Sequence, residues 1–214
     1  MKILVTGFDP FGGESVNPAY EAVKLLPDVI GGAEIFKLEI PTVFSLSGQA
    51  VEEGIRKYQP DVVICVGQAG GRASISVEKV AINFVDARIP DNNGEQPLDE
   101  PLQADGPAAY FATLPVKAMV QHVKEAGLPC YLSFTAGTYV CNSIMYNVLY
   151  MCEKRYPGIR AGFIHVPYAC GQVIDKANTT PSMPLETIAK SLEYAIEAVA
   201  IDRADGGESA GELH

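Results

Sequence analysis

Asp61-Val62-Val63-Ile64-Cys65-Val66-Gly67 is an unbroken, largely β-branched run closed by a glycine. A run this apolar predicts a strand buried on both faces, as in a parallel sheet. Similar segments lie on either side of it. Lys2–Thr6 is a short apolar strand ended by Gly7, Glu34–Ile40 alternates, and Cys130–Phe134 and Arg160–Val166 supply two more. Glu78–Val85 also alternates, with Val80, Ile82 and Phe84 on one face. Helical patterns lie between the strands. Asn17-Pro18 offers an N-cap followed by a proline at N1, opening a helix to about Leu26. Val43, Ser47, Val51, Ile55 and Tyr58 fall at helical spacing. Thr113-Leu114-Pro115 starts a helix to about Ala126, and Cys141–Tyr156 carries the stripe Ile144, Met145, Val148, Leu149 and Cys152. Pro184 at N1 opens a last helix. This alternation predicts a single three-layer α/β/α domain over residues 1–201, its mainly parallel sheet covered by helices on both faces. Pro90–Pro107 reads as a long loop, and the polar, acidic segment Asp202–His214 as a frayed tail.

Composition narrows the function. The chain has 214 residues, 48% of them hydrophobic, which excludes a disordered chain. The formal net charge of −10, with no basic run, argues against partners that are nucleic acid or anionic membrane. Ala126–Cys152 carries no formal charge, but Pro129, Ser133, Thr135, Gly137, Asn142 and Asn147 interrupt it. A membrane span needs a predominantly apolar run of roughly 20 residues. The five cysteines include no CxxC, and the N-terminal apolar stretch is too short for an export signal. They read as reduced thiols of a cytoplasmic protein.

In open α/β sheets, sites gather beyond the carboxyl ends of the strands. The segments following the strands are therefore the candidates. They are Phe8–Gly13, Gly67–Arg72, Thr135–Asn142 and His165–Tyr168. If the strands run parallel, one edge collects two Gly-rich loops, a cysteine and a histidine, the parts of an acyl-transfer site. Cys141 opens its helix, where backbone N–H groups and the helix dipole favour a thiolate and lower its pKa. The alternative is that Cys141 is only the first residue of a buried stripe. Cys170 is the one rival nucleophile, since Cys65, Cys130 and Cys152 fall on strands or in the stripe. His165 ends an apolar strand, either as a general base or as a hydrogen-bonded core residue. His122 and His214 read as solvent-facing. Glu78 shares strand parity with Val80, Ile82 and Phe84. It is either paired with His165, fixing the imidazole tautomer, or wet at the strand entrance.

Other patterns fail in context. Gly7-x4-Gly12 has phosphate-loop spacing, but Gly13 stands where the lysine belongs. Gly207-Glu208-Ser209-Ala210-Gly211 matches a nucleophile elbow but follows no strand. Three scattered histidines and no HExxH leave no metal site. The rival from another class is a non-hydrolytic, nucleoside-phosphorylase-like transferase holding phosphate in the Gly-rich loops. The acidic balance and the missing lysine argue against it.

TGFDPFGG (Thr6–Gly13), GQAGGR (Gly67–Arg72), DARIPDN (Asp86–Asn92), TAGTYVCN (Thr135–Asn142) and GFIHVPY (Gly162–Tyr168) stand in this order over most of the chain. Together they closely resemble the type I pyroglutamyl peptidases. The resemblance implies a cysteine peptidase acting on pyroglutamyl peptides through Cys141, His165 and Glu78, without a cofactor. It further implies that Phe8, Phe11 and Tyr139 wall the lactam ring, that Gln68 makes polar contacts, and that Arg88 borders the site. A homo-oligomer, dimer or tetramer, is the expected assembly. The chain departs from the family pattern at Tyr139, where Phe is common, at Phe134, where Asn is common, and over Ala169–Gln172.

Overall fold

The structure, a computed structural model, describes residues 1–206. In chain order the strands are β1 Lys2–Phe8, β2 Val29–Ile30, β3 Ala33–Ile40, β4 Val62–Gln68, β5 Ile75–Glu78, β6 Val80–Ile82, β7 Ala109–Phe111, β8 Cys130–Ser133, β9 Arg160–Val166, β10 Tyr168–Ala169 and β11 Ser182–Met183. The helices are α1 Pro18–Leu25, α2 Phe44–Tyr58, α3 Val116–Glu125, α4 Val140–Lys154 and α5 Leu185–Ala200.

The run from Val62 to Gly67 forms β4, in which every residue is buried. It sits at the middle of a seven-stranded sheet ordered β2-β3-β1-β4-β9-β5-β8. Helix α5 packs against α1 and α3 on one side, while α2 packs against α4 on the other. The apolar side chains of β4 are thereby covered on both faces, as its sequence requires. The sheet is mainly parallel, in agreement with the expected α/β class.

Three strands run the other way. β2 is antiparallel to β3 and β5 is antiparallel to β9, and β8 runs with β5. The loop after β8 therefore does not leave from the edge shared by β1, β4 and β9. The expected gathering of all four loops at one edge needs this correction. Glu78–Val85 is also not one strand. The chain leaves the sheet at Lys79, whose N–H bonds Ser133 O, and β6 pairs instead with β7 outside the main sheet. There Ala81 is buried while Val80 and Phe84 are only half-buried and Ile82 is exposed, so the alternation marked the outer face.

Helix ends are capped by near and distant groups. Asn17 Oδ1 accepts from Ala19 N–H at 3.1 Å, as the Asn-Pro pair predicts. Pro184 is the N-cap of α5 rather than its first residue. α2 and α3 begin at Val43 and Pro115 without a side-chain cap of their own. Asp91 Oδ2 accepts from Phe44 N–H at 2.8 Å, so the long loop caps α2. Asp205 Oδ1 accepts from Lys117 and Ala118 N–H at 2.9 and 3.0 Å, so the segment after α5 caps α3. His122 is correspondingly not free in solvent. It lies 2.9 Å from Glu197 Oε2 and 2.7 Å from Arg203 Nη1.

Arg203 and Asp205 thus contact α3. Residues 207–214, with the elbow-like GESAG pattern and His214, lie outside the described residues. Losing an N-terminal cap costs about 1 kcal/mol. Asp205→Ala is expected to lower unfolding free energy by about that amount, measured by urea denaturation. An unchanged midpoint would show that the carboxylate does not cap α3.

Candidate active site

Strand register assembles one patch on one face of the sheet. Gly67 of β4 pairs with His165 of β9, and His165 pairs with Ser76 of β5. Directly paired residues point to the same side, and so does every second residue along a strand. His165, Phe163, Ser76 and Glu78 therefore share a face. Cys141 arrives on that face as the second residue of α4. A Cβ built on Gly67 would lie 2.8 Å from Cys141 Sγ and 2.7 Å from Phe163 Cζ. The sulfur thus rests on the bare backbone of β4, next to the strand that carries His165. Only glycine permits that approach.

The loop that delivers Cys141 turns at Gly137, whose φ of 81° is left-handed. It is tied down by Thr138 Oγ1 donating to Asp86 O at 2.9 Å and by Tyr139 Oη donating to Pro90 O at 3.1 Å. Cys141 is partly exposed, whereas Cys65, Cys130 and Cys152 are buried. Cys170 is exposed in the turn Cys170–Val173, and its sulfur accepts from Ser182 Oγ at 3.8 Å.

Glu78 is fully buried and His165 is 4% exposed. Nδ1 of His165 donates to Glu78 Oε1 at 2.7 Å, since an ionised carboxylate can only accept. The lone pair is thereby left on Nε2. Arg72 joins them, a residue given no role in the sequence reading although it closes the GQAGGR motif. Its Nη1 donates to Glu78 Oε1 at 2.6 Å and to Ser76 Oγ, and lies 3.5 Å from His165 Nδ1. Its Nη2 donates to Thr135 O at 3.1 Å, tying the cluster to the loop that carries Cys141. The available signal was a lone cation in a glycine loop after a buried strand.

Electrostatics set the resting protonation. Burial alone would raise the Glu78 carboxyl, but the His165 hydrogen bond, the Ser133 hydroxyl and the Arg72 charge outweigh it and lower its pKa. Burial, aided by the Arg72 charge and opposed by Glu78, lowers His165. Burial pushes the Cys141 thiol up to about 12, with the Glu78 charge adding to it. This corrects the lowered thiol pKa expected from the helix terminus: enclosure of the sulfur outweighs the helix dipole. The resting pair is therefore a neutral thiol and a neutral imidazole.

Cys141 and His165 line one small cavity of about 150 Å³, with Phe8, Phe11, Gln68 and Tyr139 among its other walls. A cavity of this size holds a single ring of about benzene size. Tyr139 packs edge-on against Phe44 at 5.3 Å and tilted against Phe11 at 6.2 Å. Asn17, Thr42, Ala136 and Val140 also line it and were not expected from the sequence. Arg88 is exposed and does not line the cavity. Asp9 and Asn92 frame the cavity: Asp9 Oδ1 accepts from Thr42 N–H at 2.7 Å and from Asn92 Nδ2 at 3.2 Å. Among the described residues no three His, Cys, Asp or Glu side chains form a group that could hold a metal ion.

Removing the Arg72 charge takes away a cation that disfavours imidazolium. Arg72→Met is expected to move the NMR titration of His165 to higher pH. A titration that stayed put or moved lower would exclude the Arg72 charge as a contributor, beside burial, to the lowered His165 pKa.

The chain as a whole is similar to known proteins. The family model of pyroglutamyl peptidase matches residues 1–202. A pyrrolidone-carboxylate peptidase of Enterococcus faecalis is 58% identical over 214 residues, covering 100% of both chains. One from Clostridium perfringens is 57% identical over 205 residues, covering 96% of each. The crystal structure of pyroglutamyl peptidase I from Bacillus amyloliquefaciens superposes with a TM-score of 0.92 at 48% identity, covering 96% of this chain and 99% of that one. A mutant pyrrolidone carboxyl peptidase from Pyrococcus furiosus gives 0.90 at 42% identity, covering 95% and 100%. The register that brings a thiol, an imidazole and a carboxylate to one face is thus carried by a chain that belongs to the pyroglutamyl peptidase family.

Proposed function

We propose that Cys141, His165 and Glu78 hydrolyse the amide bond after an N-terminal pyroglutamyl residue of a peptide. The observation that carries this reading is the shared cavity: the sulfur and the imidazole border a ring-sized space with aromatic walls. The substrate end is a neutral lactam with no ammonium group. An apolar slot with a few polar groups suits it, and no acidic cluster is needed to bind an amine.

The proton of the Cys141 thiol passes to His165 Nε2 as Sγ attacks the carbonyl carbon. Because the resting pair is neutral, transfer and attack are coupled at the moment of reaction. Glu78 holds the tautomer and stabilises the imidazolium that forms. α4 begins without a side-chain cap, so its first N–H groups face no competing acceptor from a cap. They would hold the developing oxyanion. The imidazolium then protonates the departing amine, and the C–N bond breaks to leave a thioester on Cys141. His165 next takes a proton from water. The hydroxide adds to the thioester, and pyroglutamate leaves as the thiol is restored. The exposed position of Arg88 gives it no part inside the cavity.

A reducing compartment suits the thiols: all five cysteines are unpaired. Among the described residues no helix is long and apolar enough to cross a membrane. A cytoplasmic homo-oligomer, dimer or tetramer, is the accompanying inference, and sedimentation velocity reads the assembly.

Cys141→Ala is expected to lower turnover of a chromogenic pyroglutamyl amide by at least about 10⁴, whereas Cys170→Ser keeps it. Undiminished turnover of the alanine variant would overturn the assignment. The lowered His165 pKa sets the pH dependence. The base form persists below the ordinary imidazole value, so kcat/KM should fall only on the acid side of about 6.5. An acid limb centred above 7 would contradict a neutral resting pair.

A further inference from the structure

Gln68 is the polar side chain whose direction within the cavity is not fixed by its own loop. Asn17 and Thr42 also line the cavity, but their polar atoms are engaged elsewhere. Asn17 donates to Asp9 O at 2.9 Å and accepts from Ala19 N–H. Thr42 Oγ1 donates to Asp9 O at 3.2 Å. Gln68, at the end of β4, has one contact for its side-chain amide. Its Oε1 accepts from Gln172 Nε2 at 2.9 Å. Among the described residues its Nε2 has no hydrogen-bond partner, and Gln68 borders the cavity.

An amide can be turned over without changing its shape, so its polarity must come from its partners. Those of Gln172 are unambiguous. Its Oε1 accepts from Ala169 N–H at 3.0 Å, which only an oxygen can do. Its Nε2 faces Val16 O at 3.2 Å and Glu14 Oε2 at 3.4 Å, both acceptors. Turned over, Gln172 would set an oxygen against a carbonyl and a carboxylate and an NH2 against an N–H. Glu14 is itself held in place by Lys176 Nζ at 2.5 Å.

We propose that Gln172 is a positioning residue that fixes the polarity of Gln68. It forces Oε1 of Gln68 away from the cavity and leaves the Nε2 donors for the carbonyl oxygen of a lactam substrate. The inference rests on the pyroglutamyl reading of the cavity and adds the origin of its preference for a ring that bears a carbonyl. Gln172 touches no substrate and acts through Gln68.

The test is steady-state kinetics on a pyroglutamyl amide with wild type, Gln172→Ala, Gln172→Glu, Gln68→Ala and the two double variants. Gln172→Ala releases the amide of Gln68 and should raise KM about tenfold, the worth of one neutral hydrogen bond, with kcat changed less than KM. Gln172→Glu keeps the size but offers only acceptors. Gln68 would then turn its NH2 toward the new carboxylate and its oxygen into the cavity, so this variant should have the higher KM of the two. In the Gln68→Ala background neither change should add a further loss. A purely structural role gives losses that add to that of Gln68→Ala, because Glu14 Oε2 and Val16 O oppose a carboxylate at position 172 whatever Gln68 does. Additive losses, or an unchanged KM in Gln172→Ala, overturn the inference while the activity itself stands. A wild-type protein unable to cleave the amide would overturn the pyroglutamyl reading and this inference with it.

Discussion

A carboxylate with no access to water organises this molecule. Glu78 stays ionised because His165 and Arg72 both donate to the same oxygen. A buried charge left without its partners costs about 3–5 kcal/mol. The three residues come from the end of β5, the end of β9 and the turn after β4, so the cluster ties neighbouring strands together at one point. It also ties them to α4, because Arg72 holds the carbonyl of Thr135. The charge cluster therefore fixes the imidazole and the segment that carries the sulfur with one set of bonds.

Several of the sequence motifs serve architecture rather than chemistry. Asp9 and Asn92 bind each other, and Asp9 holds the backbone N–H of Thr42, which lines the cavity. Asp91 is buried and accepts from Asn93 and Glu95 N–H as well as from the start of α2. Long loops without secondary structure remain ordered when their backbone groups find such partners. The stretch from Pro90 to Pro107 is held in this way, and Tyr139 reaches it through Pro90.

The candidate site was legible to different depths. The residues alone left Cys141 and His165 open between chemistry and the core, and the motifs resembling the pyroglutamyl peptidases pointed to both. Cys141 comes from the loop after β8, which runs against β4 and β9, so strand direction did not by itself bring it to the site. Glu78 was singled out through a parity argument over one long strand, and that strand does not exist. The residue is nonetheless buried and paired with His165, because β5 ends at it. The physical cue, an acid among apolar neighbours, was sound, and the periodicity attached to it was not. Arg72 was quoted in a motif and given no part. A guanidinium reaches far from its backbone position, so its partners depend on strand order rather than on local sequence. The thiol acidity was misjudged for the same reason: enclosure is a property of the packed site, not of the helix position.

The sequence by itself determined that β4 would be buried on both faces, that helices would cover it, that a cysteine would follow a strand and that a histidine would lie near the end of one. These follow from local pattern, since apolar periodicity and turn chemistry act over a few residues. Only the tertiary structure decided that β5 and β8 run against β4 and β9, that a sulfur rests on Gly67 beside the strand that carries the imidazole, and which amide faces which. Those outcomes depend on register and close packing between segments distant in the chain, and no local preference encodes them.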